Sequence, residues 1–429
     1  MKPAFILTFI FAYLSLYGQT ERSLHHYIEI AKVNSPLIRD LHNQTAIRQS
    51  EIERLKAFYT HSRLEINGEY LFVPVVSINT DKIAFKFNVE DGTEYYGYDV
   101  SESSGHLHAG ITWTKTLLGN SMYHTAKEQE LINLNIISNS IHMEEHQLER
   151  LVTEQYLLCI LDKTQIAFTD SIISLFERQK TIVQKLAISG LAKTSDLQLI
   201  QIECESNRRQ RLSYIQSYHS HLMDLNFLCG INDTINVALS EVEMSIPLPN
   251  NSSFHSRFTE QFTLDSLKAD ADFKSFCIQY KPRLDLFING GLRTGSFDEL
   301  YKHIGWNAGL TFSWTISDGL QREKKQRQLC LNQNTILIYR DYAEYQQQMQ
   351  LSRCMAEIND YNQQEVSIRT QLSKYDVLLE SYNCEITAGQ MSILDYIMVL
   401  KNKIQTEKDF IILQTNKKLA IVAYNYWNW

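Results

Sequence analysis

At 429 residues and a formal net charge of −8, the chain lacks the basic surplus that nucleic-acid binding needs, which argues against nucleic acid as a partner. It carries 16 glycines and 6 prolines, where ordinary usage would supply about 30 and about 20. So few breaks argue against two or three compact globular domains and for a small number of long helices.

Met1-Lys2 followed by the apolar run Ala4 to Tyr17 reads as a secretory signal peptide covering residues 1–19. No cysteine precedes Cys159, so the thiol that lipid anchoring at such a junction requires is missing. No later run reaches about 18 uninterrupted apolar residues, so any crossing of a membrane falls to strands. The seven cysteines are scattered and odd in number, which reads as small buried hydrophobes rather than a disulfide framework.

Leu24 to Asn34 is expected to be a short helix, closed by Asn34-Ser35-Pro36, and a polar helix follows to about Phe58. Alternation from Leu64 through Ile66, Gly68, Tyr70 and Phe72 predicts a strand over about 64–73, and HLHAGITWTK predicts a second over 106–115. Between them, Pro74 to Ser104 reads as an exposed excursion. A Gly- and Pro-free stretch then predicts a helix over about 120–189, roughly 100 Å long, with Leu134, Ile141 and Leu148 at heptad spacing. Gly190 ends it, Thr194 or Ser195 is a candidate cap, and a helix returns over about 196–228. Residues 231–253, with two prolines, read as a linker.

The pattern then recurs. A helix is expected over Phe254 to Tyr280, strands over about 283–293 and 303–315, a helix over about 320–388, and after Gly389 a last helix over about 392–426. Leu351, Ile358, Leu372 and Leu379 interleave with Tyr361, Ile368, Tyr375 and Tyr382 at alternating steps of three and four, the mark of a coiled-coil seam. Gly110 and Gly309 lie about 199 positions apart, as do Gly190 and Gly389, and one offset at two landmarks predicts an internal duplication with repeats at 20–230 and 254–429.

In HIGWNAGLTFSWT, Ile304, Trp306, Ala308, Leu310, Phe312 and Trp314 share one strand face against polar or tiny residues on the other. A run of this length with tryptophans near both ends fits a tilted strand of a membrane barrel, with Trp113, Trp306 and Trp314 as interfacial anchors. Four strands cannot close a barrel, and open sheet edges are not tolerated in lipid, so several chains must combine.

The strand Gly309-Leu310-Thr311-Phe312-Ser313-Trp314 leading into Asp318-Gly319, with the paired turns Gly190…Asp196-Leu197 and Gly389…Asp395-Tyr396, resembles the TolC family of outer-membrane efflux proteins over the whole mature chain. The resemblance implies a mainly α protein with a transmembrane β-barrel. Three chains of four strands would complete a 12-stranded barrel in outer-membrane lipid, continued by a long periplasmic barrel of coiled-coil helices. It implies a homotrimer that works with a periplasmic adaptor (membrane fusion) protein and an inner-membrane transporter as the exit duct of a tripartite pump, for small molecules or type I secretion cargo. It places a periplasmic gate and selectivity ring at Gly190, Ser195, Asp196, Gly389 and Asp395. Ile386 and Met391 stand where the family has the Tyr and Arg of its latch, and Met398 stands at a second acidic ring position.

Other chemistry is weakly signalled. His142-Met143-Glu144-Glu145-His146 matches an inverted zinc-protease pattern but has no third ligand and reads as a solvated helix face; His106 and His108 read as polar residues facing water. No nucleophile, base and orienter cluster stands out and there is no Gly-rich phosphate loop, so neither an enzyme nor a cofactor is expected. The alternative reading is a soluble periplasmic coiled-coil scaffold with no channel.

Overall fold

The computed structural model describes residues 22–79, 82–86, 93–95, 98–100, 105–188, 193–232, 237–247, 256–294, 300–387 and 393–429. The proposed signal peptide and the turn glycines Gly190 and Gly389 lie outside them. Among these described residues, seven helices and eight strands follow in the order α1 (Leu24–Asn34), α2 (Pro36–Thr60), β1 (Arg63–Phe72), β2 (Val75–Asn79), β3 (Lys82–Lys86), β4 (Thr93–Tyr95), β5 (Tyr98–Val100), β6 (Gly105–Thr116), α3 (Gly119–Ile188), α4 (Thr194–Leu228), α5 (Arg257–Ile278), β7 (Arg283–Thr294), β8 (Ile304–Ser313), α6 (Gln321–Thr387) and α7 (Ile393–Trp427); a short 3-10 turn at Leu300–His303 precedes β8. The long helices contain 70 and 67 residues, and each return helix 35. Among the described residues no helix is long and apolar enough to cross a membrane.

Two features differ from the sequence expectations. The excursion between the first two strands holds two small antiparallel ladders, β2 with β3 and β4 with β5. Short alternating runs such as Lys82-Ile-Ala-Phe-Lys86 are enough to form them. And β8 ends at Ser313, so Trp314 lies just past the strand.

The chain divides into two compact units that cut across the two halves of the sequence. One, residues 44–137 and 262–338, holds the sheet in the order β1-β6-β7-β8, antiparallel throughout. Here Arg63 pairs with Glu65 (3.0 Å) and Arg283 with Asp285 (2.6 Å), so the similar openings of β1 and β7 form the same ion pair along the strand. Asp318 then starts α6: its carboxylate accepts the backbone N–H groups of Leu320 and Arg322, both at 3.1 Å, across a turn in which Gly319 takes a φ of 61°.

The other unit, residues up to 43, 138–261 and 339–429, is helical. The Asn34 side chain donates to the Cys229 carbonyl (3.0 Å), joining the end of α1 to the end of α4, while Gly230 with a φ of 63° terminates α4. The surrounding core contains Tyr27, Val152, Tyr156, Leu225 and Leu239, and the Tyr156 hydroxyl donates to the Ser240 carbonyl (2.7 Å), fixing the segment that leads to α5.

Candidate functional site

Two arrangements concentrate the features the sequence singled out: the faces of the sheet and the tips of the helical hairpins. In an antiparallel sheet, residues directly opposite share a face. The register sets Leu64 against Trp113, Trp113 against Ile288 and Ile288 against Ala308; one step along the strands, Ile111 faces Gly290 and Gly290 faces Trp306. All four strands therefore present one continuous apolar face. It is bare: Ile66 is 85% exposed, Trp306 80% and Ile304 70%. Monomeric soluble proteins rarely leave a patch of this kind in water.

The opposite face is polar. Its rows read Glu65, Thr112, Asn289, Asn307 and Glu69, His108, Arg293, with Asn67 donating to the Thr112 hydroxyl (3.0 Å). Leu71 and Phe287 are the exceptions, and the Phe287 ring lies where a Cβ on Gly309 would sit, within 2.7 Å. β1 and β8 each have one paired side, so the four-stranded sheet ends in two open edges.

At the tips, α3, α4, α6 and α7 share a core that includes Phe176, Ile200, Leu379, Tyr396, Ile397 and Leu400. Ile386 packs against this core, and the Tyr396 hydroxyl accepts from the Gln179 amide (3.3 Å). Lys401 bonds to Glu203 (2.8 Å) between α7 and α4. A buried side chain of this size stabilises by about 1.5–3 kcal/mol, against about 0–1 kcal/mol for an exposed ion pair, so apolar packing dominates. Burial also pushes the Lys408 ammonium below its ordinary range, with Glu203 opposing the shift. Neither Glu203, Lys401 nor Lys408 carried a signal in the sequence.

Ser195 and Asp196 sit in the first turn of α4. The flanking residue is Lys193 rather than Thr194 or Ser195, and its N–H donates back to the Asp196 carboxylate (3.4 Å). The Ser195 hydroxyl lies 3.5 Å from the same carboxylate, a bond inside one turn rather than between hairpins. Asp395 is exposed in the first turn of α7, as is Met398, beside buried Tyr396. Met391 lies outside the described residues.

The remaining motifs resolve differently from their sequence readings. His142 pairs with Glu145 at 3.7 Å, but His146 is not on a solvated face: its ring stacks on Tyr426 (4.9 Å, 9°) and on Trp429 (4.0 Å, 13°), because the end of the chain folds over it. Burial lowers its pKa from the ordinary imidazole value. Among the described residues no three His, Cys, Asp or Glu side chains converge as a metal site. Four cysteines are buried, and burial pushes the Cys159 thiol up to about 12, whereas Cys330 and Cys384 are exposed on α6, contrary to the expectation of burial for all. A pair the sequence did not reveal joins buried Asp162 to His221 (2.6 Å) between α3 and α4.

No family model and no curated protein matches the chain by sequence. Its structure is nevertheless similar to solved ones. It matches CusC, whose structures concern folding and transmembrane channel formation, with TM-score 0.72 and 13% identity over 95% of this chain and 92% of that one. It matches the outer membrane protein VceC of Vibrio cholerae with TM-score 0.69 and 11% identity, over 94% and 95% of the two chains. It matches the CmeC outer membrane channel of Campylobacter jejuni with TM-score 0.66 and 12% identity, over 94% and 85%. At such identities the agreement concerns the path of the backbone, and it covers nearly the whole chain: the fold expected from the TolC-family resemblance, that of the outer-membrane channels, is the fold this protein has.

Proposed function

We propose that three copies of this chain close a 12-stranded barrel in an outer membrane, and that the assembly is the passive exit duct of a tripartite pump. The observation that carries the reading is the two-faced sheet with open edges. Lipid would cover the apolar face, water would wet the polar one, and β1 of one copy would pair with β8 of the next, since an unsatisfied edge costs several kcal/mol per group in hydrocarbon. Trp113, Trp306 and Trp314 serve as interfacial anchors in this arrangement. The duplicated order of elements supports it, each repeat supplying two strands and one helical hairpin.

Cargo reaches the duct from a periplasmic adaptor and an inner-membrane transporter, and the chain performs no chemical step. The hairpin tips, with Gly190, Ser195 and Asp196 on one and Gly389 and Asp395 on the other, form its periplasmic entrance. Exposed Asp395 carries the cation preference, whereas Asp196, committed to its own helix start, contributes to the shape of the turn.

Purified protein in detergent is expected to have the mass of three chains and to conduct ions across planar bilayers. A lone monomer recovered from the periplasmic extract would sink the duct and leave the scaffold. Given a conducting channel, Asp395→Ala is expected to move the reversal potential in a salt gradient toward anions; an unmoved potential removes Asp395 from the ring.

A further inference from the structure

We infer that the polar face of the sheet carries an anion-binding site for small ligands bearing carboxylate or phosphate groups, one that tightens as pH falls. The site is assembled by register. Glu69 stands opposite His108, and His108 opposite Arg293, while His303, in the turn just before β8, lines the same cavity. A titratable row thus crosses β1, β6 and β7 and is continued by His303, with His106 two residues along on the same face.

The next row carries a side chain only at Asn67 of β1, opposite Gly110, and is glycine on the other three strands. Gly110 faces Gly291 and Gly291 faces Gly305, and the backbones approach so closely that a Cβ on Gly291 would lie 2.4 Å from the Gly110 Cα. Beyond the glycines comes an amide row with Asn289 opposite Asn307. On β7 four residues of strand separate Arg293 from Asn289, about 13 Å with only Gly291 between them on this face. The result is a trough, and a cavity of about 350 Å³ occupies it, lined by residues from all four strands.

The chemistry of the walls selects the ligand. His108 Nδ1 is buried and has no protein partner among the described residues. Arg293 makes no ion pair there either, and a guanidinium binds carboxylate and phosphate in a bidentate fork. The charged and titratable groups facing His108 are Glu69 from β1, Arg293 from β7 and His106 from its own strand; His303 lines the cavity from the turn before β8. With the imidazoles neutral, Arg293 and Glu69 cancel. Protonating the histidines adds up to three positive charges and no negative one.

The position inside a lumen rests on the duct reading, but the binding does not, so the two are tested separately. Purified full-length protein in detergent is titrated calorimetrically with inorganic pyrophosphate, and in parallel with citrate, at about pH 5.5 and about pH 8, either side of the imidazole range. Binding of either anion is expected to be about tenfold tighter at the lower pH. The triple variant His106→Gln, His108→Gln, His303→Gln is expected to lose that dependence, Arg293→Gln to weaken binding at both pH values, and Glu69→Gln to strengthen it at the higher one. The Glu69 variant predicts a gain, which misfolding cannot mimic. Absence of binding for both anions at the lower pH, or a triple variant that keeps the full pH dependence of the parent, overturns the site. Protein that binds without conducting keeps the site and loses the duct, while protein that conducts without binding does the reverse.

Discussion

The two long helices are nearly equal in length and opposite in surroundings. Along α3, buried residues recur from Met122 to Val183; along α6 only Cys354, Ile358 and Leu379 are buried. α6 covers a single seam, with Ile358 packed beside Ala420, Ile421 and Tyr424 of α7. Nearly opposite that seam lies a second apolar set, Leu331, Ile338, Tyr345 and Val366 interleaved with Tyr342, Met349 and Val377, every one more than half exposed. A second heptad set of this kind fits a second helical neighbour, and the described residues of the chain leave it exposed. In the proposed assembly another copy would cover it, which is where α6 differs from α3.

One substitution made on both seams gives the largest expected effects and separates the two roles. Ile358→Glu places a carboxylate at a site 1% exposed and is expected to unfold the α6–α7 hairpin, since an unpaired buried charge costs several kcal/mol. Val366→Glu, at a site 67% exposed, is expected to keep the helical circular dichroism of a folded chain while lowering the assembly to single chains in native mass spectrometry. Should Val366→Glu leave the assembly intact, the second seam is a solvated stripe and the contrast with α3 teaches nothing about oligomers.

A smaller effect is expected where α3 is complete. Phe176 is 1% exposed in the tip core, and Phe176→Ala is expected to cost about 3–5 kcal/mol through lost burial and the cavity left behind. Thermal unfolding checks this, and a loss under about 1 kcal/mol would mean that the core collapses around the gap or that the assembly carries the tips instead.

Much of this organisation could be read before any coordinates. The strands were legible because alternation sets faces, and the α6 seam because Leu351, Ile358, Leu372 and Leu379 keep a strict spacing through Glu365. The second seam was not, since Ser352, Asn359 and Gln363 interrupt it and only burial shows which apolar residues lack a partner. The row Glu69, His108, Arg293 was equally hidden: a cross-strand neighbour is a matter of register, which no local pattern in β1, β6 or β7 fixes. His146 was misread because its surroundings come from Tyr426 and Trp429, at the far end of the chain. Asp395 was located by its place after Gly389, whereas its exposure, on which its proposed role depends, belongs to the packed hairpin.

Glu365 gives the smallest and most discriminating expected effect, because it is the polar break in the seam that α6 does bury. Its carboxylate accepts from Lys417 of α7 (2.9 Å) and from Arg369 one turn on (2.7 Å), whose guanidinium also lies 4.8 Å from the Phe410 ring. Lys417 first, and then Arg369, hold the Glu365 carboxyl below the ordinary glutamate range. For a carboxyl depressed in the folded state, the stabilisation is present above its unfolded pKa of about 4.3 and is lost as pH falls through the lower folded value. Glu365→Gln should therefore cost no more than about 1 kcal/mol at neutral pH, and the gap between variant and parent should close as pH is lowered below about 4. A gap that persists there would mean that Glu365 acts through its shape in the seam rather than its charge, and the break would then be packing of the same kind that completes α3.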